Sequence, residues 1–233
     1  MKILKAFTLI LLFAFAACKK DGGVKPGPDP VINTKVTNTD LLGYSIPVQL
    51  NVDDGLRVIY FNKDGNDIKA TYDAVTVRRI FTVNVVNNAW VMDLNGNGSI
   101  KYTFKFGRDD KGQLVLFSAS YKNQADASIQ MNLVLLKNAD IPALANTRYK
   151  EHADMPEYIK FSDDHNFAIS TQPNYAGAAW ASYYDLCPGA WKGKYNGIDY
   201  MGITIKISAN EPPEMIIQKA GEAKSRTFNP QNN

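Results

Sequence analysis

Ala89-Trp90-Val91-Met92-Asp93-Leu94-Asn95-Gly96 recurs 101 residues later as Ala190-Trp191-Lys192-Gly193-Lys194-Tyr195-Asn196-Gly197. At the same offset, Thr103-Phe104-Lys105-Phe106 matches Thr204-Ile205-Lys206-Ile207, and Leu114-Val115-Leu116 matches Met215-Ile216-Ile217. Upstream, Ile59, Phe61, Asp64 and Asn66 match Ile159, Phe161, Asp164 and Asn166 at an offset of 100. Blocks kept in one order at nearly one spacing mark an internal repeat. The two units run over residues 41–140 and 141–233.

Both units read as strands. Leu56 to Asn62, a Lys63-Asp64-Gly65-Asn66 turn, and Asp67 to Ala74 form a hairpin pattern. Ile100-Lys101-Tyr102-Thr103-Phe104-Lys105-Phe106 alternates apolar and polar residues as a half-buried strand does. Leu114 to Tyr121 and Ser128 to Leu136 follow. In the second unit Tyr158–Phe161, Phe167–Thr171, Tyr183–Cys187, Tyr200–Ser208 and Glu214–Lys219 repeat the order. No long amphipathic helix is present, and Ala176 to Ala181, short and just after Pro173, reads as loop. About eight short strands per unit predict an all-β fold: two tandem antiparallel barrel- or sandwich-like units, architectures that avoid exposed edges. The Phe61, Asp64, Gly65 hairpin resembles the second hairpin of small lipocalin-like domains in exported Bacteroidota proteins. The Leu-x-Gly-Thr-Trp opening of those domains has its counterpart in Leu144-Ala145-Asn146-Thr147-Arg148-Tyr149. The resemblance implies lipocalin-like units, with any ligand in a barrel mouth or between the units.

The N-terminus carries a different signal. Lys2 and Lys5 precede an apolar run from Ala6 to Ala17, interrupted by Thr8. A bilayer span needs about 20 apolar residues, so this run is too short for an ordinary membrane helix. It ends in Phe15-Ala16-Ala17-Cys18, which resembles the lipobox of bacterial lipoproteins. The resemblance implies a signal peptide over residues 1–17, lipidation of Cys18, and a membrane partner reached through that lipid. Lys19-Lys20-Asp21 after the cysteine is similar to lipoproteins of the Bacteroidota placed at the outer membrane or cell surface. Residues 18–40, with Pro26, Pro28, Pro30, Gly22, Gly23 and Gly27, read as a tether; ten residues of polyproline-like chain extend about 30 Å.

Without Lys2 and Lys5 the formal charge falls from +3 to +1, too little for the electrostatic footprint of a nucleic-acid binder. If Cys18 carries lipid, Cys187 has no intramolecular disulfide partner.

Motifs that carry chemistry are few. Asp93-Leu94-Asn95-Gly96-Asn97-Gly98 matches the opening of a calcium loop, but its twelfth position is Phe104 rather than a bidentate carboxylate, so an Asn-Gly hairpin turn is expected. His152 and His165 lack metal-ligand spacing and read as turn residues. Cys187, whose repeat counterpart is Val86, reads as a small buried apolar residue rather than a nucleophile. No phosphate loop, dinucleotide fingerprint or nucleophile elbow occurs, so no catalytic residue, metal site or cofactor is expected. Trp90 and Trp191 occupy equivalent repeat positions and are expected in cores. Trp180, Tyr183 and Tyr184 are the candidate ligand-binding residues, because exposed aromatic rings bind sugars or planar ligands by stacking.

The sequence thus predicts a membrane-anchored lipoprotein acting as a binding or structural module at the cell envelope. Its ligand would be a glycan or a small hydrophobic molecule. An envelope- or polysaccharide-directed hydrolase and a structural subunit of an uptake complex are the alternatives. Since Cys187 has no partner, the denaturant midpoint of the lipidated protein should be the same with and without reductant; a shift would reveal a disulfide.

Overall fold

A computed structural model of the chain describes residues 34–49, 55–123, 128–131, 133–206 and 212–231. Cys18, the apolar run before it and the proline-rich stretch lie outside the described residues. Residues 36–40, which composition places at the end of the tether, are packed into the fold. Val36 is buried, and its N–H donates to Asn88 Oδ1 at 2.8 Å. Asp40 pairs with Arg108 at 2.7 Å.

The protein is all-β, built as two tandem antiparallel units. The first comprises β1 (Tyr44–Val48), β2 (Arg57–Asp64), β3 (Asp67–Ala74), β4 (Arg78–Thr82), β5 (Ala89–Asp93), β6 (Lys101–Arg108), β7 (Leu114–Lys122), β8 (Ser128–Met131) and β9 (Leu136–Lys137). These strands form a five-stranded sheet in the order β4-β3-β2-β1-β9 and a four-stranded sheet in the order β5-β6-β7-β8. Between them lies a core in which Phe61, Trp90, Phe104 and Tyr102 are in ring contact. Alternation places these residues inward and their neighbours outward.

The second unit runs β10 (Arg148–Glu151), β11 (Tyr158–Phe161), β12 (Asn166–Ser170), β13 (Ala181–Cys187), β14 (Ala190–Tyr195), β15 (Ile198–Ile205), β16 (Glu214–Lys219) and β17 (Arg226–Pro230). Each strand pairs with the next, and β17 returns to β10, closing an up-and-down barrel of the lipocalin type. Its lumen is filled rather than hollow. Phe161, Phe167, Tyr183, Trp191 and Tyr195 pack there with ring centroids about 5–6.5 Å apart. Two glycines make that filling possible. A Cβ at Gly193 would sit 2.6 Å from the Phe167 ring, and one at Gly202 would sit 2.4 Å from the Trp191 indole nitrogen. Small residues opposite large ones are how a narrow barrel closes its interior.

In both units strands adjacent in sequence mostly pair with each other, but the matched residues do not keep a constant offset in space. Trp90 pairs with Phe104, whereas Trp191 pairs with Gly202, so the downstream blocks are not structural equivalents. Asn196 and Gly197 form a two-residue hairpin turn with positive φ at both positions, whereas Asn95 and Gly96 lie in a loop over 94–100. The Gly65 position does correspond. His165, at offset 100, also adopts positive φ, in a turn one residue longer.

A third core joins the units. The outer face of β2 and β3 packs on the outer face of β14 and β15, burying Leu56, Val58 and Tyr60 against Ala190, Met201 and Ile203. Within this apolar seam sits Asp73, with no solvent exposure. Its carboxylate accepts from Lys192 Nζ at 2.5 Å and from Tyr60 Oη at 3.0 Å, and Arg78 Nε lies 3.7 Å away. The burial of Tyr60 and the adjoining carboxylate push its hydroxyl well above the usual phenol range. Among the described residues, no helix is long and apolar enough to cross a membrane.

Removing one partner of a buried ion pair leaves the other charge unsatisfied, at a cost of about 3–5 kcal/mol. Asp73→Ala should therefore lower unfolding stability by about that amount in urea titrations, and Asp73→Leu combined with Lys192→Met should recover most of it. A single-variant loss below about 1 kcal/mol would show that the pair is solvated in solution.

Candidate functional site

Where the seam reaches the surface it opens into a cleft of about 440 Å³. One wall is the β3–β4 turn, with Val75, Val77 and Arg78; the other is β13 to β15, with Ser182, Tyr184, Lys194 and Asp199. Lys192 lies at its base, already bound to the buried Asp73. Lys194 and Asp199 pair across β14 and β15 at 3.3 Å, both largely exposed. The cleft thus has a fixed charge pair beneath it and polar groups around its rim.

Strand alternation arranges the aromatic edge. Successive residues of β13 point to opposite faces, so Ser182 and Tyr184 face outward and Tyr183 faces the lumen. Tyr184 is 55 % exposed and Tyr183 only 7 %. The Tyr183 ring meets Phe161 at 5.3 Å, and burial, with Asp185 nearby, raises its hydroxyl pKa. Trp180, immediately before the strand, is 50 % exposed, and Lys160 Nζ lies 5.5 Å from its ring centroid. Residues two apart on a strand are about 6.7 Å apart. Ser182 and Tyr184 therefore share the outward face that lines the cleft, and Trp180, exposed just before the strand, lies outside that lining. Of the three aromatics singled out in sequence, the structure presents Trp180 and Tyr184 and packs Tyr183 into the barrel.

The other candidates take structural roles. The Asp93 carboxylate is used by its own loop: Oδ1 accepts from the N–H groups of Asn95 and Gly96, and Oδ2 from that of Gly98. That geometry satisfies an anion with backbone donors and spends the carboxylate that a cation would need; the segment is a wider loop than an Asn-Gly hairpin. His152 is exposed, and His165 Nε2 contacts Asp185 at 3.1 Å on the surface. Trp90 and Trp191 are buried at the centres of their cores. Cys187 is buried and its thiol pKa is pushed up to about 12, chiefly by desolvation. The reason is not equivalence with Val86, which is exposed; Cys187 is covered by the seam between the units. Glu151, Glu157 and Glu222 converge on Arg226, which binds Glu157 at 2.8 Å and ties β10 to β17.

Sequence reasoning missed Asp73, Arg78, Lys192 and Asp199. The available signal was burial on both faces. Val58-Ile59-Tyr60-Phe61 and Met201-Gly202-Ile203-Thr204-Ile205 are continuous rather than alternating runs, the pattern of strands covered on both sides.

No family model matches the chain, and no curated protein does. Among solved structures, a protein of unknown function from the DUF3598 family of Nostoc punctiforme is similar at 11 % identity. That likeness covers 84 % of this chain and 98 % of that one, with a TM-score of 0.28. A glycoside hydrolase family 43 YxiA protein from Bacillus licheniformis is also similar at 11 % identity, over 81 % of this chain and 52 % of that one, with a TM-score of 0.24. Neither likeness is close enough to carry a fold or an activity over to this chain.

The two outward aromatics and the inward one should separate in stability. Tyr184→Ala and Trp180→Ala should change unfolding free energy by no more than about 0.5 kcal/mol. Tyr183→Ala, which empties part of the barrel core, should cost about 3–5 kcal/mol. Equal losses for Tyr183 and Tyr184 in thermal or urea melts would mean that β13 is in the other register.

Proposed function

We propose that the chain is a lipid-anchored lipoprotein of the cell envelope, at the outer membrane or cell surface, and that it binds glycans along β13 and the seam cleft. The observation that carries this reading is the outward pair Ser182 and Tyr184 in a cleft with lysine and aspartate groups on its rim, with the exposed Trp180 ring just before the same strand. A sugar ring offers an apolar face and an edge of hydroxyls. A flat aromatic ring supports the first, and the side chains of Ser182, Lys194 and Asp199 hydrogen-bond the second. The filled lumen of the second unit leaves its interior to packing, which favours a surface ligand over a hydrophobic molecule enclosed by that barrel. Hydrolysis of a glycosidic bond by the usual route needs two carboxyl groups about 5–9.5 Å apart. Among the described residues that line the cleft, Asp199 is the one carboxylate, and it is paired with Lys194. Binding is therefore the better reading of this site.

The anchor and the site have separate tests. Cys18→Ser should move the protein from the membrane fraction to the soluble fraction of the cells that express it. In affinity electrophoresis through gels containing xylan or pectin, the full chain should be retarded, and the Trp180→Ala, Tyr184→Ala double variant should lose at least tenfold in affinity. Unretarded migration of the unaltered protein through neutral and acidic polysaccharides alike would sink the glycan reading while leaving the anchor standing.

A further inference from the structure

The β3–β4 turn separates the seam from a second opening. On its far side, at the mouth of the first unit, lies a cleft of about 360 Å³. Its inner wall is a group of phenols, Tyr72, Tyr102 and Tyr121, and its sides include Leu94 and Ile100. Two guanidinium groups, from Arg57 and Arg79, also line it, beside Asn95. These residues come from β2, β3, β4, β6 and β7 and from the loop over 94–100, so the mouth draws on both sheets of the unit.

Among the described residues, the charges that line this mouth are all positive. Arg57 Nη1 donates to the Gly55 carbonyl and Arg79 Nη1 to the Leu94 carbonyl, each at 2.6 Å. A carbonyl positions a guanidinium without cancelling its charge. Among the described residues, neither arginine has a carboxylate ion-pair partner, unlike Arg78, Arg108 and Arg226. The phenols are in contact with Arg57 and with each other: the Tyr72 oxygen accepts from Arg57 and from the Tyr102 hydroxyl. Burial raises the pKa of the Tyr72 and Tyr102 hydroxyls, against the opposing charge of Arg57, so both keep their protons at neutral pH. Two cations against largely apolar walls suit one small anionic head carried on an apolar body.

The depth of the cleft restricts that body. Tyr121 covers Tyr102, with centroids 4.9 Å apart, and behind Tyr102 the rings of Phe104 and Trp90 continue the stack at 5.9 and 5.3 Å. The core below the mouth is filled, so a long acyl chain has nowhere to go. A flat group can lie in the shallow mouth against the tyrosine rings, where aromatic pairs gain about 0.5–1.5 kcal/mol beyond burial. A planar carboxylate also matches the fork of an arginine better than a spherical ion does.

We propose that this mouth is a binding site for an aromatic carboxylate, its head held between Arg57 and Arg79 and its ring against the tyrosines. It is a separate site from the seam cleft and does not depend on the glycan reading.

The probe is phenylacetate, titrated into the full chain by calorimetry, with phenylacetamide as the neutral analogue of nearly the same shape. Phenylacetate should bind at least tenfold more tightly than the amide, and more weakly as salt is raised, because exposed charge pairs are screened. Arg79→Met, on an exposed side chain, should lower affinity at least tenfold without changing the unfolding midpoint. Arg57→Gln should do the same, and Tyr121→Ala should weaken both probes together by removing part of the platform. Decanoate should bind no better than phenylacetate, since the core leaves no room for its chain. The proposal is overturned if the amide binds as well as the carboxylate, if neither arginine variant changes affinity, or if phenylacetate produces no saturable heat.

Discussion

Asp73 is a carboxylate without contact with water, and what surrounds it comes from both units. Taking such a group out of solvent costs several kcal/mol, and the structure offsets this only by supplying donors in place of water. Tyr60 and Arg78 come from the first unit and Lys192 from the second, so the charge is satisfied only when the two outer faces meet in one register. The apolar contacts around it, Val58 and Leu56 against Met201 and Ile203, are less demanding. Apolar surfaces tolerate sliding, whereas a buried ion pair does not. The seam cleft follows from this, because its two walls belong to different units.

The same meander is used twice with different closure. In the second unit β17 reaches β10, and glycines at positions 193 and 202 admit Phe167 and Trp191 into a narrow lumen. In the first unit β4 and β5 fall in separate sheets, and the position opposite Trp90 is Phe104 rather than glycine. Trp90 stacks on Phe104 with ring planes 20° apart, where the Trp191 indole lies over a bare backbone. Two large rings facing each other need more space than one ring over a glycine. The first unit accommodates them between two sheets, and that arrangement leaves the tyrosine-lined mouth at its end.

The strand order was legible because turn chemistry and alternation are local. Lys63-Asp64-Gly65-Asn66 marked a hairpin, and Ile100 to Phe106 marked a strand with one face inward, as β6 is. The offset of 101 was misleading past Asn95, because matched residues can align in sequence while loops of different length shift their partners in space. The seam was not legible. Asp73 and Lys192 lie 119 positions apart, and in a strand with one wet face either would be read as solvated. For the site, an exposed aromatic and a buried one were adjacent, Tyr183 and Tyr184, and choosing between them needed the register of β13 against β14. Arg57, Tyr72, Arg79, Tyr102 and Tyr121 had no spacing that could group them, since their meeting depends on how the two sheets close.

One register connects both openings. In the β3–β4 pairing Arg78 lies opposite Asp73 and Arg79 opposite Tyr72. Side chains on one strand alternate between faces, so the first arginine turns to the seam and the second to the mouth. A slip of one residue would exchange them, bringing Arg79 to the buried carboxylate and taking Arg78 from it. β4 is an edge strand, paired on one side only, which is where register is least constrained by neighbours. Here it is held at both ends of the pairing: the Ala74 N–H donates to the Val77 carbonyl at 2.8 Å and the Val83 N–H to the Ile68 carbonyl at 2.9 Å. Arg78 at Asp73 then reinforces what those bonds set. The buried carboxylate therefore does more than join the units. By holding Arg78 on the seam face, it also holds Arg79 on the face that turns to the mouth.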